Sequence, residues 1–393
     1  MPRILIITDY YLPGYKGGGP VRSLSNMIDW LGDEFDFYLL AGDRDFRDSQ
    51  PYPSVRPGEW MPVGKAQVRY LTPDERRFGA LGRVIAGTDY DLLYVNSFFA
   101  PMCAKTVLLH GLRRIPQDRP LLLAPRNEFF PAALSLKAWK KRPYLAAIKA
   151  LGLARRIVWQ ATSAYEATTI RRHFPAGRVE LAGILSMKQP PPLDAPPPRA
   201  QPLRVVYLSR IDRKKNLIYA LQLLRQVQSP LVFDIYGPRE DADYWALCEA
   251  AMRDLPAHVQ ASYRGEVEHE RVLSTFHQYD AFLLPTQGEN FGHVIWEALY
   301  AGCLPVISDR TPWTDDLRAR GIGWAHGLDA PQDFAASLDA IAALPAADYL
   351  RRAQAAQDYA RQTVRDNDAV LDANRAMFRA LLGDTSDSTH KDS

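Results

Sequence analysis

The chain has 393 residues, 47% of them hydrophobic and 24% charged, which is room for two globular domains of ordinary size. A net charge of +3 is too small to indicate nucleic-acid binding, and three distant cysteines with no CxxC pair exclude a disulfide framework and a cysteine zinc site. No apolar run approaches the roughly 18 residues of a spanning helix, and "ILII" (4–7) is too short for a signal-peptide core. The expectation is a soluble, cytoplasmic protein, free to rest on a membrane surface.

In chain order, "RILIIT" (3–8), "FDFYLLAG" (35–42), "YDLLYVNS" (90–97), "PLLLAP" (120–125) and "RIVWQATS" (156–163) read as strands. Their near-continuous apolar character suits parallel strands covered on both faces. "QPPPLDAPPPRAQP" then bars regular structure and reads as a stiff linker over 189–202. The strand pattern restarts with "LRVVYLSR" (203–210), "LVFDIYG" (231–237), "DAFLLPT" (280–286) and "LPVIS" (304–308). This predicts an α/β protein of two doubly wound Rossmann-like domains, 1–188 and 203–359, facing a central cleft. A helical stretch over roughly 348–382 is expected to return to the first domain through about 360–383. The tail 384–393 is too polar to fold and is expected to be disordered.

Gly17, Gly18 and Gly19 follow the first strand, and Pro20 suits the first turn of the next helix. Exposed amides at a helix N-terminus fit an anion such as a diphosphate, with Arg22 adding charge; a flexible surface turn reads equally well. In "YLSRIDRKKNL" (207–217), Arg210 ends a strand and Lys215 comes five residues later, so both can face one anion. Arg213 and Lys214 read as solvated, and a solvent-facing loop is the competing reading of the whole cluster.

"QGENFGHVIWEAL" (287–299) carries Glu289 and Glu297 across a strand-to-helix turn. Asn290 is the expected N-cap, leaving the amides of residues 291–293 directed into the cleft. His293 and Glu297 share a helix face at i, i+4. Carboxylates repel a diphosphate held by Arg210 and Lys215, so the pair is expected to grip hydroxyls at two ends of a polyol ligand: sugar at Glu289, ribose at Glu297.

These segments carry a resemblance. "ENFGHVIWE" resembles the E-x7-E motif of retaining glycosyltransferases of the two-Rossmann (GT-B) type, and "SRIDRKKNL" is similar to the Arg-x4-Lys element of glycosyltransferase family 4. The glycine loop 17–19 and "IYGPRED" (235–241) match the same family, so the motifs span about residues 14–310. The resemblance implies metal-independent, cofactor-free transfer, with retention, from a nucleoside-diphosphate sugar to a glycan or lipid-linked acceptor in bacterial polysaccharide assembly. The first domain would be the acceptor side. Catalytic roles fall on Arg210, Lys215 and Glu289; donor contacts fall on Gly17, Gly18, Gly19, Arg126, Asn290, Phe291, Gly292, His293 and Glu297.

The sequence departs from the family twice. Arg126 in "LLLAPRNEFF" stands where many members have His, and Ala182 in "ELAGI" stands where Asn is common. Glu166 reads as a helix-surface residue. Three D-x-D triplets (Asp43/Asp45, Asp241/Asp243, Asp366/Asp368) look like chance rather than a metal site. The stretch 136–156 mixes seven cations with Trp139, Tyr144 and Leu145. It reads either as a solvated helix face or as a peripheral contact with the inner face of the cytoplasmic membrane. Competing functions are a nucleotide-sugar epimerase, a phosphorylase-like enzyme, and a non-catalytic nucleotide-sugar-binding protein.

Overall fold

The computed structural model describes residues 1–130, 133–134, 138–199, 201–239 and 241–383. The tail from 384, Leu136 and Lys137 of the basic stretch, and Glu240 of "IYGPRED" therefore lie outside the described residues. The chain divides into two compact units: Met1–Lys188 with the C-terminal segment from Asp366, and Gln189–Arg365.

Unit 1 is built on β1 (Arg3–Ile7), β2 (Asp36–Gly42), β3 (Trp60–Val63), β4 (Ala66–Leu71), β5 (Leu92–Asn96), β6 (Leu121–Ala124), β7 (Val158–Ala161) and β8 (Arg178–Leu181). Their order in the sheet is β3-β4-β2-β1-β5-β6-β7-β8, parallel except for β3 against β4. β1 lies between β2 and β5, with Ile4 beside Phe37 on one side and Leu92 on the other. Helices cover both faces, which is why β1, β5 and β6 carry apolar residues at successive positions rather than alternate ones.

Unit 2 holds β9 (Leu203–Leu208), β10 (Leu231–Tyr236), β11 (Val259–Gly265), β12 (Ala281–Leu284), β13 (Leu304–Ser308) and β14 (Trp324–His326), all parallel, in the order β11-β10-β9-β12-β13-β14. The order reverses between β9 and β12. Crossover helices leave for opposite faces there, opening a crevice at the strands' carboxyl ends.

Strands β3, β4, β8, β11 and β14 do not appear in the sequence reading. β8 is exposed or half-exposed at every position, and β4 alternates buried and half-buried residues (Ala66, Val68 and Tyr70 inward), so neither shows a continuous apolar run. The single helix expected over 348–382 is two, Ala346–Arg365 and Asp368–Leu382. The break falls at Asn367, whose side chain donates to Ser186 Oγ at 2.6 Å and whose carbonyl accepts from Leu371 N at 2.7 Å.

The second of these helices packs into unit 1, burying Leu371, Met377 and Phe378 in a core shared with β1, β2 and β4. The proline-rich segment is held by unit 2: Tyr300 donates to the Pro191 carbonyl, Gln357 to Asp194 and Arg361 to Leu193. It is a strap as well as a connector.

Candidate active site

The unit 2 site is assembled at the β9/β12 crevice. Past β9, Ser209 N bonds Tyr236 O and Gly237 closes on it: a Cβ at Gly237, where φ is 138°, would meet Ser209 O at 1.9 Å. That close approach fixes the start of the loop carrying the cations. Arg210 lies 3.5 Å from Asp212 Oδ2, and Asp212 Oδ1 accepts Lys215 N at 2.8 Å. Asn216 then takes a left-handed conformation and donates to Pro285 O beyond β12, tying the two loops together.

From that tie, Lys215 Nζ reaches Glu289 Oε1 at 2.6 Å, and Thr286 Oγ1 donates to the same oxygen at 2.9 Å. The side chains are 12% and 9% exposed, so this is a buried ion pair. Burial alone would push the Glu289 carboxyl up; Lys215 and Lys214 outweigh it and hold the group below its usual range. The sequence reading set both carboxylates apart from the anion held by Arg210 and Lys215; in the structure Glu289 instead touches one of those cations. β9 and β12 are neighbours in the sheet, so their end loops converge although the residues are 74 apart in sequence.

The helix after the turn starts at His293, not near Phe291, and its N-cap is Gly292 (φ 76°) rather than Asn290. Glycine accepts the left-handed cap that asparagine was expected to supply by side chain. Trp313 donates its indole N–H to the Phe291 carbonyl, and the Phe291 ring lies 4.7 Å from His293 and 5.3 Å from Trp313. The helix's first hydrogen bonds run back to its cap, from Ile295 N to Gly292 O at 2.8 Å and from Trp296 N to the same oxygen at 3.4 Å. Glu297 is the fifth helical residue, just past the first turn, and is 3% exposed on the face it shares with His293. Trp296 and Tyr300 anchor another face: the Trp296 indole reaches Thr363 Oγ1 at 2.9 Å. That anchoring sets the rotation at which Glu297 is presented.

Unit 1 places the glycine loop at its own reversal point, between β1 and β5. Gly18 is the N-cap of helix Gly19–Leu31 with Pro20 in the first turn. Much of the loop's donor capacity is spent internally. Asp45 Oδ2 accepts the amides of Tyr15 and Lys16, and Gly18 N bonds Tyr15 O. Arg22 is half-buried, and burial lowers its guanidinium to about 10, still charged at neutral pH.

Arg126, at φ 54°, donates to Asn96 Oδ1 at 2.8 Å and to the Tyr94 hydroxyl at 2.7 Å. It is oriented by neutral partners at the end of β6. Glu166, expected on a helix surface, is 1% exposed. It accepts from Thr162 N, Thr162 Oγ1 and Asn127 N, and its own amide bonds Ser163 Oγ in a capping arrangement. Asp9, after β1, was not singled out by its sequence; burial pushes its carboxyl up to about 6 against the opposing Met102 amide.

Two of the D-x-D triplets have structural work: Asp43 pairs with Arg44, Asp45 ties the glycine loop, and Asp241 caps a helix through Tyr244 N. The third lies at the helix break, where Asp366 opens the C-terminal segment of unit 1 and Asn367 makes the bonds described above. Among the described residues no group of three His, Cys, Asp or Glu side chains is arranged to hold a metal.

Two α/β units, one on an eight-stranded and one on a six-stranded sheet and each with a strand-order reversal, define a GT-B architecture. The whole-chain likenesses agree. Sucrose-phosphate synthase from Thermosynechococcus elongatus superposes with TM-score 0.73 at 17% identity, covering 98% of this chain and 100% of that one. Anabaena HepE in complex with UDP and glucose gives 0.64 at 17% (98% and 100%). An α,α-trehalose-phosphate synthase (UDP-forming) from Burkholderia vietnamiensis gives 0.65 at 14% (98% and 100%).

At the level of sequence, residues 194–363, within unit 2, match the family Glycosyl transferases group 1. A glycogen synthase of Mycobacterium tuberculosis is 30% identical over 173 residues, 42% of this chain. The match spans 40% of that relative's length.

Proposed function

We propose that the protein is a retaining glycosyltransferase that moves a sugar from a nucleoside-diphosphate donor to a hydroxyl of a glycan or lipid-linked saccharide, in polysaccharide or cell-surface glycan assembly. The observation that carries this reading is the buried Lys215–Glu289 pair beside Arg210 at the β9/β12 reversal. A donor's diphosphate and its sugar hydroxyls meet at the anomeric carbon, so the site needs a cation and a carboxylate within one ligand's reach. The family match over unit 2 and the UDP and glucose of the Anabaena structure support a nucleotide sugar as donor, with UDP-glucose the first to test.

Breaking the anomeric bond creates an oxocarbenium-like centre and a diphosphate with added negative charge. Arg210 and Lys215 stabilise that charge more in the transition state than in the ground state. Glu289 holds sugar hydroxyls, and Glu297 the ribose diol. The acceptor hydroxyl attacks from the face the diphosphate leaves, and a diphosphate oxygen takes its proton, which gives retention without a glycosyl-enzyme. Proton NMR of the first product formed reads the anomeric configuration; an inverted linkage, or a sugar–protein adduct in the intact mass, overturns the mechanism.

Two expected outcomes arise here. Glu297→Ala weakens nucleoside-diphosphate binding by roughly 10- to 150-fold, the loss of a charge-assisted bond to the ribose, while free sugar binds as before. Calorimetry showing equal nucleotide affinity in mutant and parent removes the ribose role. Activity persists in excess chelator, because cations of the chain meet the leaving group's charge. Turnover lost to chelator and restored by magnesium or manganese contradicts this.

The lipid-linked form of the acceptor places the enzyme at the inner face of the cytoplasmic membrane. The basic stretch 136–156 supports that form. No helix among the described residues is long and apolar enough to cross a membrane.

A further inference from the structure

The segment from Phe129 to Tyr165 contains no Asp or Glu but has Lys137, Lys140, Lys141, Arg142, Lys149, Arg155 and Arg156. A chain of net charge +3 thus concentrates seven cations in under a tenth of its length and is net acidic elsewhere. Helix Ala138–Ala150 buries only Ile148 among its described side chains. Trp139, 73% exposed, carries Lys140 Nζ 4.9 Å from its ring centroid. Among the described residues Lys140, Arg142, Lys149 and Arg155 have no carboxylate partner, in contrast to the many paired cations of this chain. A solvated helix face is normally laced with both signs; this one is not.

A turn outside the basic stretch and a groove along its helix extend the same surface. Arg156 Nη1 donates to Gly111 O at 3.4 Å, which brings the exposed Leu112, Arg113 and Arg114 beside the exposed Leu151 and Arg155. A groove of about 510 Å³ runs along the helix, its wall mostly the carbon of Leu134, Ala138, Leu145 and Ala146. Lys141, Arg142 and Lys149 add cations to its lining, and His173, whose imidazole burial and Lys149 push below the usual range, adds a neutral ring. Apolar carbon beside cations is the complement of a phosphate head on a hydrocarbon tail.

We propose that this face docks unit 1 on an anionic phospholipid bilayer, with a lipid phosphate seated between Arg142 and Lys149 at the mouth of the groove. Trp139, Leu112 and Leu151 enter the interfacial layer, where an amphipathic indole is favoured. The basic side chains add electrostatic attraction that falls off within a Debye length. The inference rests on the lipid-linked form of the acceptor for its purpose. Its deciding readouts, vesicle sedimentation and Trp139 fluorescence, are taken without donor, so the two fail separately.

The test is co-sedimentation of the full chain with phosphatidylcholine vesicles, with and without phosphatidylglycerol. Binding is expected to the anionic vesicles alone and to disappear at high salt. The triple substitution Lys140→Gln, Arg142→Gln, Lys149→Gln is expected to weaken partitioning by roughly 100-fold, about fivefold per charge. It should leave the urea midpoint and any thermal shift with UDP-glucose unchanged. The fluorescence difference between the parent and Trp139→Phe isolates one of eight tryptophans and should shift to the blue on binding. Equal sedimentation of the triple variant, or none by the parent, overturns the proposal. So does release by glycerol phosphate with no Trp139 shift, which identifies a site for small soluble anions.

Discussion

Lys215→Ala is expected to lower kcat by roughly 100- to 1000-fold, the usual loss when a preorganised group facing developing charge is removed, with a much smaller rise in the donor's KM. Lys215 has two duties that the same substitution exposes. In the site as it stands it bonds Glu289 at 2.6 Å in a nearly solvent-free setting. Removing one partner of a buried pair typically costs about 3–5 kcal/mol, because the other charge is left uncompensated. The variant is therefore expected to be less stable as well as less active.

The pH dependence separates these duties. In the parent, Glu289 lies below its usual value of 4.5: burial opposes ionisation, but Lys215 and Lys214 favour it more strongly. A depressed carboxyl contributes stability that is present above the unfolded value and lost as pH falls through the folded one. Without Lys215, burial dominates and the carboxyl rises, so the penalty is greatest near neutrality and shrinks on acidification. The gap in Tm between parent and variant should narrow from about pH 7.5 to about pH 5. Adding Glu289→Gln should restore stability but not kcat. A gap that stays constant with pH, or a double variant as unstable as the single one, shows that the two side chains are not energetically coupled.

Phe378→Ala is expected to destabilise unit 1 by about 3–5 kcal/mol, the range for emptying a large aromatic site in a packed core. Phe378 is fully buried, with Phe35 at 5.5 Å, Phe37 at 6.3 Å and Tyr94 at 6.1 Å between ring centroids. It reaches that core from the last described helix, whose rim Arg375 holds with paired bonds to Glu34 at 2.8 and 2.9 Å. Those half-exposed ion pairs are worth far less than the ring, so Arg375→Ala should cost under about 1 kcal/mol. Urea unfolding that shows similar midpoints for the two variants contradicts this ordering.

The sequence alone determined the strands that parallel neighbours and helices cover on both faces, because complete burial demands uninterrupted apolar residues. "RILII", "LLYVN" and "AFLL" could be read directly. It also determined the chemistry on offer, since Arg210, Lys215, Glu289 and Glu297 sit where strand ends and a helix start are legible. Half-buried strands stayed hidden: β8 at the sheet's edge has too little apolar surface to mark it, and β4 alternates as amphipathic segments of several kinds do.

Only the tertiary structure decided that Lys215 and Glu289 touch. Contact between loops so far apart in sequence follows from β9 lying beside β12, and sheet order is a property of how helices cross over, not of any local segment. The same holds for Glu166, whose burial depends on amides of Thr162 and of Asn127 at the end of another strand, and for the helix break that Ser186 fixes at Asn367. Local sequence sets propensity and periodicity. Which polar groups must be satisfied, and by what, depends on residues that the fold brings together from elsewhere in the chain.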